Sequence, residues 1–236
     1  MAEPSASIKY EEYTGTEEPF VPVESMKVVA VALTPKKETP YLYPPETSYQ
    51  PYRPAIPEER ICIVDIETTG ISPTDSRLVC IGAKDPKFID QEPIVFFNID
   101  LDHEEETIMA FKQWFTENGF TKIVGYNTDF DYRFILALLL KYRIIWPEWF
   151  KVSLFDIMDY LKKGKEGYVP TMNKVNKLDE WAEFLLGQVK LMSFEELMQA
   201  IDEKDWDRII EYNKIDVELE FLIWFLIIYC SDDSIE

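Results

Sequence analysis

The stretch ICIVDIETTG, residues 61–70, constrains this chain more than any other. Ile61 to Val64 form an unbroken apolar run. Asp65 and Glu67 then follow two residues apart, and the chain turns at Thr68-Thr69-Gly70. Side chains along a strand alternate between its faces. Asp65 and Glu67 therefore share a face with Ile61 and Ile63, while Cys62, Val64 and Ile66 take the other. Both faces are apolar up to the acids, which predicts a central strand covered on both sides. Two carboxylates on one poorly solvated face repel each other, and no Lys or Arg stands between them. A divalent cation would relieve that repulsion, and hard oxygen ligands suit Mg²⁺ or Mn²⁺. A pair that caps the turn and points into water would relieve it too, and D-x-E alone favours that reading, so more is needed to overturn it.

Two later segments carry residues of the same kind. In GYNTDFDYRFI, residues 125–135, a short strand ends, Asn127 follows, and Asp131 falls near the start of an apolar helix. A carboxylate there is stabilised by helix N–H groups and can project over a strand end. Asp129 is an equally good cap candidate. In EYNKIDVELE, residues 211–220, Tyr212 and Asp216 are four apart and share a face of a helix rich in Ile and Leu. A phenol and a carboxylate on an apolar face need partners.

Around these segments the periodicities predict strands at 61–67, 77–83, 93–99, 122–125 and 153–156. They predict helices at about 104–118, 130–142, 177–186, 193–201 and 205–229, with the 153–156 strand running on into helix towards 161. Three strands in succession, then alternating helix and strand, give a mixed α/β sheet with helices on its faces. Residues 1–25 read as an acidic disordered tail. Residues 26–57 read as a Pro-rich extension with one strand at 26–33, and 58–232 as the main domain. Ten of the fifteen prolines lie before residue 58, so that extension is expected to wrap the domain or meet a protein partner.

In this order and on these elements, the three segments resemble the DEDD 3′–5′ exonucleases. D-x-E at a strand end is Asp65 and Glu67, N-x-x-F-D opening a helix is Asn127, Phe130 and Asp131, and Y-x-x-x-D on a late helix is Tyr212 and Asp216. Glu211 stands where the other branch of that family has a histidine, so the resemblance is to the tyrosine branch. The phrasing G-Y-N…F-D and K-L-D…L-L-G is most similar to the proofreading domain of family B DNA polymerases, over roughly residues 60–230.

The resemblance implies an RNase H-like fold, with three antiparallel strands followed by parallel ones and helices on both faces. It implies a two-metal 3′–5′ exonuclease, with Asp65, Glu67, Asp131 and Asp216 holding two Mg²⁺ or Mn²⁺ ions. Tyr212 would then hold the attacking water and the phosphate in line. A phenol titrating near ~10 is a poor base at neutral pH. Thr68 and Asn127 would touch the substrate. Single-stranded DNA is the expected partner. The same chemistry on RNA, and a non-catalytic interaction protein keeping the fold, are the alternatives.

The net charge of −20 opposes nucleic-acid binding, since affinity for phosphates comes from Lys and Arg. Ions in the site would neutralise it locally. The stretch KKGKEGYVPTMNKVNK, residues 162–177, has five lysines and one glutamate. Its Lys162, Lys163 and Lys165 with Tyr168 suit a single strand whose bases stack, or else form a solvated loop. Three cysteines without C-x-x-C spacing predict neither zinc nor disulfides. The absence of a charged-then-apolar leader or a long apolar span predicts a soluble, intracellular protein with no membrane partner. One helix remains after Asp216, so no polymerase domain is expected to follow.

Overall fold

The structure is a computed structural model, which describes residues 59–163, 177–188 and 192–231. The tail over 1–25, the extension over 26–57, Lys165 and Tyr168 lie outside the described residues.

Among the described residues, five strands form one sheet. β1 (Ile61–Thr68), β2 (Leu78–Lys84) and β3 (Ile94–Phe97) are a meander, and β4 (Lys122–Gly125) and β5 (Ser153–Asp156) follow on the other side of β1. The spatial order is β3-β2-β1-β4-β5. The β1–β2 and β2–β3 pairs are antiparallel, and the β1–β4 and β4–β5 pairs are parallel. The helices are α1 (Glu104–Glu117), α2 (Thr128–Lys141), α3 (Ile157–Lys163), α4 (Leu178–Leu186), α5 (Phe194–Asp202) and α6 (Trp206–Ser231). This is the expected mixed α/β architecture.

Alternation in β1 sorts its side chains between two cores. Cys62, Val64 and Ile66 join Phe111 and Phe115 of α1 and Phe134, Ile135 and Leu138 of α2. Ile61 and Ile63 join Val217, Leu219, Phe221 and Ile223 of α6. A strand buried on both sides needs such a continuous apolar run. A bulge between Glu67 and Thr68 ends its regular pairing with β2, so β1 breaks register where the acids stand.

The third strand is shorter than the predicted 93–99. The chain leaves the sheet at Asn98, whose Nδ2 donates to Leu78 O at 2.6 Å and whose Oδ1 accepts from His103 N–H at 2.6 Å. A 3-10 turn over Ile99–Leu101 follows, with Asp100 and Leu101 at positive φ. His103 precedes α1 on the surface beside Glu106. Helix α2 starts two residues before the predicted 130, and Lys162 and Lys163 belong to α3 rather than to a loop.

Glu104, buried in the first turn of α1, ties these layers together. It accepts Leu78 N–H at 2.8 Å and both Lys141 Nζ and Tyr142 OH at 2.6 Å. Burial opposes its charge, but the bonds from Lys141, Tyr142 and Leu78 outweigh it and hold the carboxyl below its usual value. A carboxyl whose folded value is depressed stabilises the fold above its unfolded value and loses that effect as pH falls. Glu104→Gln is expected to cost about 1–3 kcal/mol near neutral pH. In urea unfolding at a series of pH values, the gap to wild type should narrow below pH 4.5, the usual carboxyl value. A gap that is constant with pH would contradict this role.

Candidate active site

Asp65, Glu67 and Asp216 meet at the end of β1. Each can place one carboxylate oxygen within 4.8 Å of the other two. Asp65 and Glu67 come from alternate positions of one strand, as period two requires. Asp216 comes from α6, which crosses that face. Glu67 and Asp216 are buried and Asp65 is half-buried. The pair on β1 therefore does not point freely into water. Three hard oxygen donors converging in a poorly solvated place fit a divalent cation.

Asp131 reaches the same strand from the opposite layer. Its Oδ1 accepts Ile66 N–H at 3.2 Å. Burial, then the nearby Asp65, pushes its carboxyl well above the usual range, and the Ile66 N–H opposes this. Asp131 thus stands beside the cluster, without being one of the three acids that share the 4.8 Å distance. Asp129, the other candidate in that motif, is exposed and paired with Arg133 at 2.8 Å. The structure separates two acids that the sequence left equivalent.

Tyr212 is buried one turn before Asp216, and its side chain is hydrogen-bonded to that of Asp216. Burial, then Asp216, Glu67 and Asp65, drives its phenol far above the ordinary value. The hydroxyl is therefore a donor and not a base.

The approach of α6 is close because β2 presents no side chain at Gly82. A Cβ there would lie 2.3 Å from Asn213 Oδ1 and 2.6 Å from Val217 Cγ2. The space admits Asn213, whose Nδ2 donates to Asp65 Oδ2 at 2.8 Å. That bond fixes how Asp65 faces the cluster.

The remaining sequence candidates lie around this centre. Thr68 Oγ1 donates to Gly70 O at 2.7 Å, so its hydroxyl serves the turn after β1. Asn127 is exposed, in the left-handed conformation just before α2, and its N–H is accepted by Asp156 Oδ1 at 3.0 Å. Lys162 is half-buried near the end of α3.

A family model described as the RNase_H superfamily matches residues 62–224. The chain belongs to that superfamily. An uncharacterized protein of Methanocaldococcus jannaschii is 26% identical over 180 residues, covering 72% of this chain and 96% of its own length. Among solved structures, the family B DNA polymerase of the hyperthermophilic archaeon Pyrobaculum calidifontis superposes with a TM-score of 0.58 at 18% identity. That match covers 72% of this chain and 25% of the polymerase, so this chain spans about a quarter of that protein. The likeness to the polymerase is one of fold. RNase H-like nucleases use divalent metals, and the buried acids here are of the kind that holds them.

Two residues at the centre escape the three motifs. Asn213 fixes Asp65, and Glu220 is a fully buried acid one turn beyond Asp216. Tyr212, Asp216 and Glu220 are spaced at i, i+4 and i+8 along the buried side of α6. That repeat is the signal that could have found Glu220.

Crowded like charges cost stability until something positive joins them. Asp216→Asn keeps an acceptor for Tyr212 and removes one charge. It is expected to raise the melting temperature of the metal-free protein by roughly 2–6 °C. Mn²⁺ should raise the melting temperature of wild type more than that of the variant. Calorimetric scans with chelator and with Mn²⁺ check both, and an equal Mn²⁺ response in the two proteins would contradict the cluster's role.

Proposed function

We propose that this chain is a metal-dependent 3′–5′ exonuclease that removes nucleotides from the 3′ end of single-stranded DNA. The observation that carries this reading is the convergence of Asp65, Glu67 and Asp216, from a strand and a distant helix, within 4.8 Å. Membership of the RNase_H superfamily supports a nuclease. The order of the three motifs, and their similarity to the proofreading domain of family B polymerases, support 3′–5′ polarity and DNA.

On this reading Asp65, Glu67 and Asp216 hold divalent ions, Mg²⁺ or Mn²⁺, with Asp131 beside them. When bound, two such ions supply an acidified water and stabilise charge on the leaving 3′ oxygen. The chain's own residues set the geometry. Asn213 locks Asp65 through its 2.8 Å bond, and Ile66 N–H holds Asp131. Tyr212, its hydroxyl proton given to Asp216, accepts from the attacking water on its phenol oxygen and so holds that water in line with the scissile phosphate. With its hydroxyl engaged, Thr68 lines the terminal-nucleotide pocket through its backbone, and exposed Asn127 contacts the strand. Lys162, Lys163 and Lys165 with Tyr168 would meet the bases and phosphates further along. A partner bound through the N-terminal extension would supplement the affinity that a net charge of −20 withholds.

The test is a degradation ladder on 5′-labelled single-stranded DNA and RNA of one sequence, with Mg²⁺, Mn²⁺ or chelator. Wild type is expected to shorten the DNA from its 3′ end only with metal, and Asp216→Ala to leave it intact. Tyr212→Phe should slow kcat by roughly tenfold to a hundredfold with little change in KM. Its pH–rate profile should keep the wild-type basic limb, because the phenol does not titrate there. A ladder on RNA alone would reassign the substrate. Cleavage of neither strand would overturn the reading in favour of an interaction protein.

A further inference from the structure

Glu220 has no part in the three motifs, yet it is completely buried beside them. It lies close enough to Asp65, Asp131 and Asp216 for their charges to act on it. Its Oε1 accepts Tyr126 N–H at 2.9 Å. Tyr126 stands past the last pair of the β1–β4 ladder, which ends at Ile63 and Val124. Where that ladder ends, a side chain from α6 takes over as the acceptor.

The corner it holds is the one that launches Asp131. Gly125 ends β4, Asn127 turns the chain at φ 65 and ψ 40, and α2 begins at Thr128. A non-glycine residue in the left-handed region persists where its surroundings over-determine it. Here they do. Asp156 Oδ1 holds Asn127 N–H, and Thr128 Oγ1 donates to Phe155 O at 3.2 Å. On the other side the packing is equally close. A Cβ on Gly125 would lie 2.6 Å from Val64 O and 3.4 Å from Glu220 Oε2. Any rotation of this corner swings Asp131 about the start of its helix.

We propose that Glu220 is a positioning residue: by accepting Tyr126 N–H it locks the β4–α2 corner, and with it Asp131, to the turn of α6 that carries Asp216. The proposal rests on the reading of Asp65, Glu67, Asp131 and Asp216 as the working acids. What Glu220 contributes is an acceptor oxygen of fixed reach. A glutamine offers the same oxygen, and its uncharged amide N–H₂ takes the place of Oε2 near the charges of Asp65, Asp131 and Asp216. Methionine fills a similar volume and offers no acceptor comparable to that oxygen.

The experiment compares Glu220→Gln and Glu220→Met with wild type, in the full chain, by two readouts. The first is the amide ¹H–¹⁵N spectrum without substrate. The resonances of Tyr126, Asn127 and Asp131 are expected to move in Glu220→Met and to stay close to wild type in Glu220→Gln. The second is the 3′ ladder under Mg²⁺, well below the melting temperature of each variant. There kcat should fall roughly tenfold to a hundredfold in Glu220→Met with KM little changed, and Glu220→Gln should stay within about threefold of wild type. Unmoved corner resonances in Glu220→Met would overturn the proposal. So would a Glu220→Gln as slow as Glu220→Met, since the charge rather than the acceptor would then matter. A wild type that cuts no nucleic acid refutes the nuclease reading instead, and the spectra still judge the corner.

Discussion

Electrostatic repulsion at the end of β1 is the constraint around which the rest of the molecule is arranged. Two unit charges 4.8 Å apart repel by roughly 3–4 kcal/mol at an effective dielectric of about 20. Asp65, Glu67 and Asp216 form three such pairs, and Asp131 and Glu220 stand near enough to add to them. No fold keeps such a group together unless its scaffold is held firmly elsewhere. The two apolar cores on either side of β1 provide that hold. The close contact of α6 with β2 at Gly82 brings Asp216 to within reach.

Glu104 shows that burial alone does not mark a functional acid. It is as buried as Asp216, but three donors surround it and its carboxyl is held below the usual range. Asp131 has the Ile66 N–H, and its carboxyl is pushed up by burial and by Asp65. The first arrangement is complete in the protein itself and serves to join α1, α2 and β2. The second leaves like charges close together, a repulsion that a cation would relieve. The contrast separates the structural acid from the candidate ligands by their partners and not by their exposure.

Much of this was legible along the chain, because period-two alternation and helical spacing are local. The face shared by Asp65, Glu67, Ile61 and Ile63 followed from alternation, and α6 and its Tyr212–Asp216 pair from the four-residue step. What local patterns could not supply was distance between elements. Asp129 and Asp131 differ by two positions, and only the packing of α2 against β1 buries one and exposes the other. Asn213 and Gly82 are unremarkable in sequence, and their meaning arises where α6 crosses β2. Glu220 was masked by the acidic run Asp216, Glu218 and Glu220. Within that run, Glu218 turns to Lys84 at 2.9 Å while Glu220 turns inward. Strand β3 ended early because Asn98 found backbone partners in Leu78 and His103, a non-local exchange that strand propensity does not register.

The central claim is that the acids at the end of β1 form a cation centre, and diffraction tests it most directly. Crystals soaked in Mn²⁺ would be measured at the manganese absorption edge, and anomalous difference density sought around Asp65, Glu67 and Asp216. The account requires a peak within coordination distance of Asp65, lost in crystals of Asp216→Ala grown and soaked alike. Full Mn²⁺ occupancy at other acids, with no peak among these three, would contradict it.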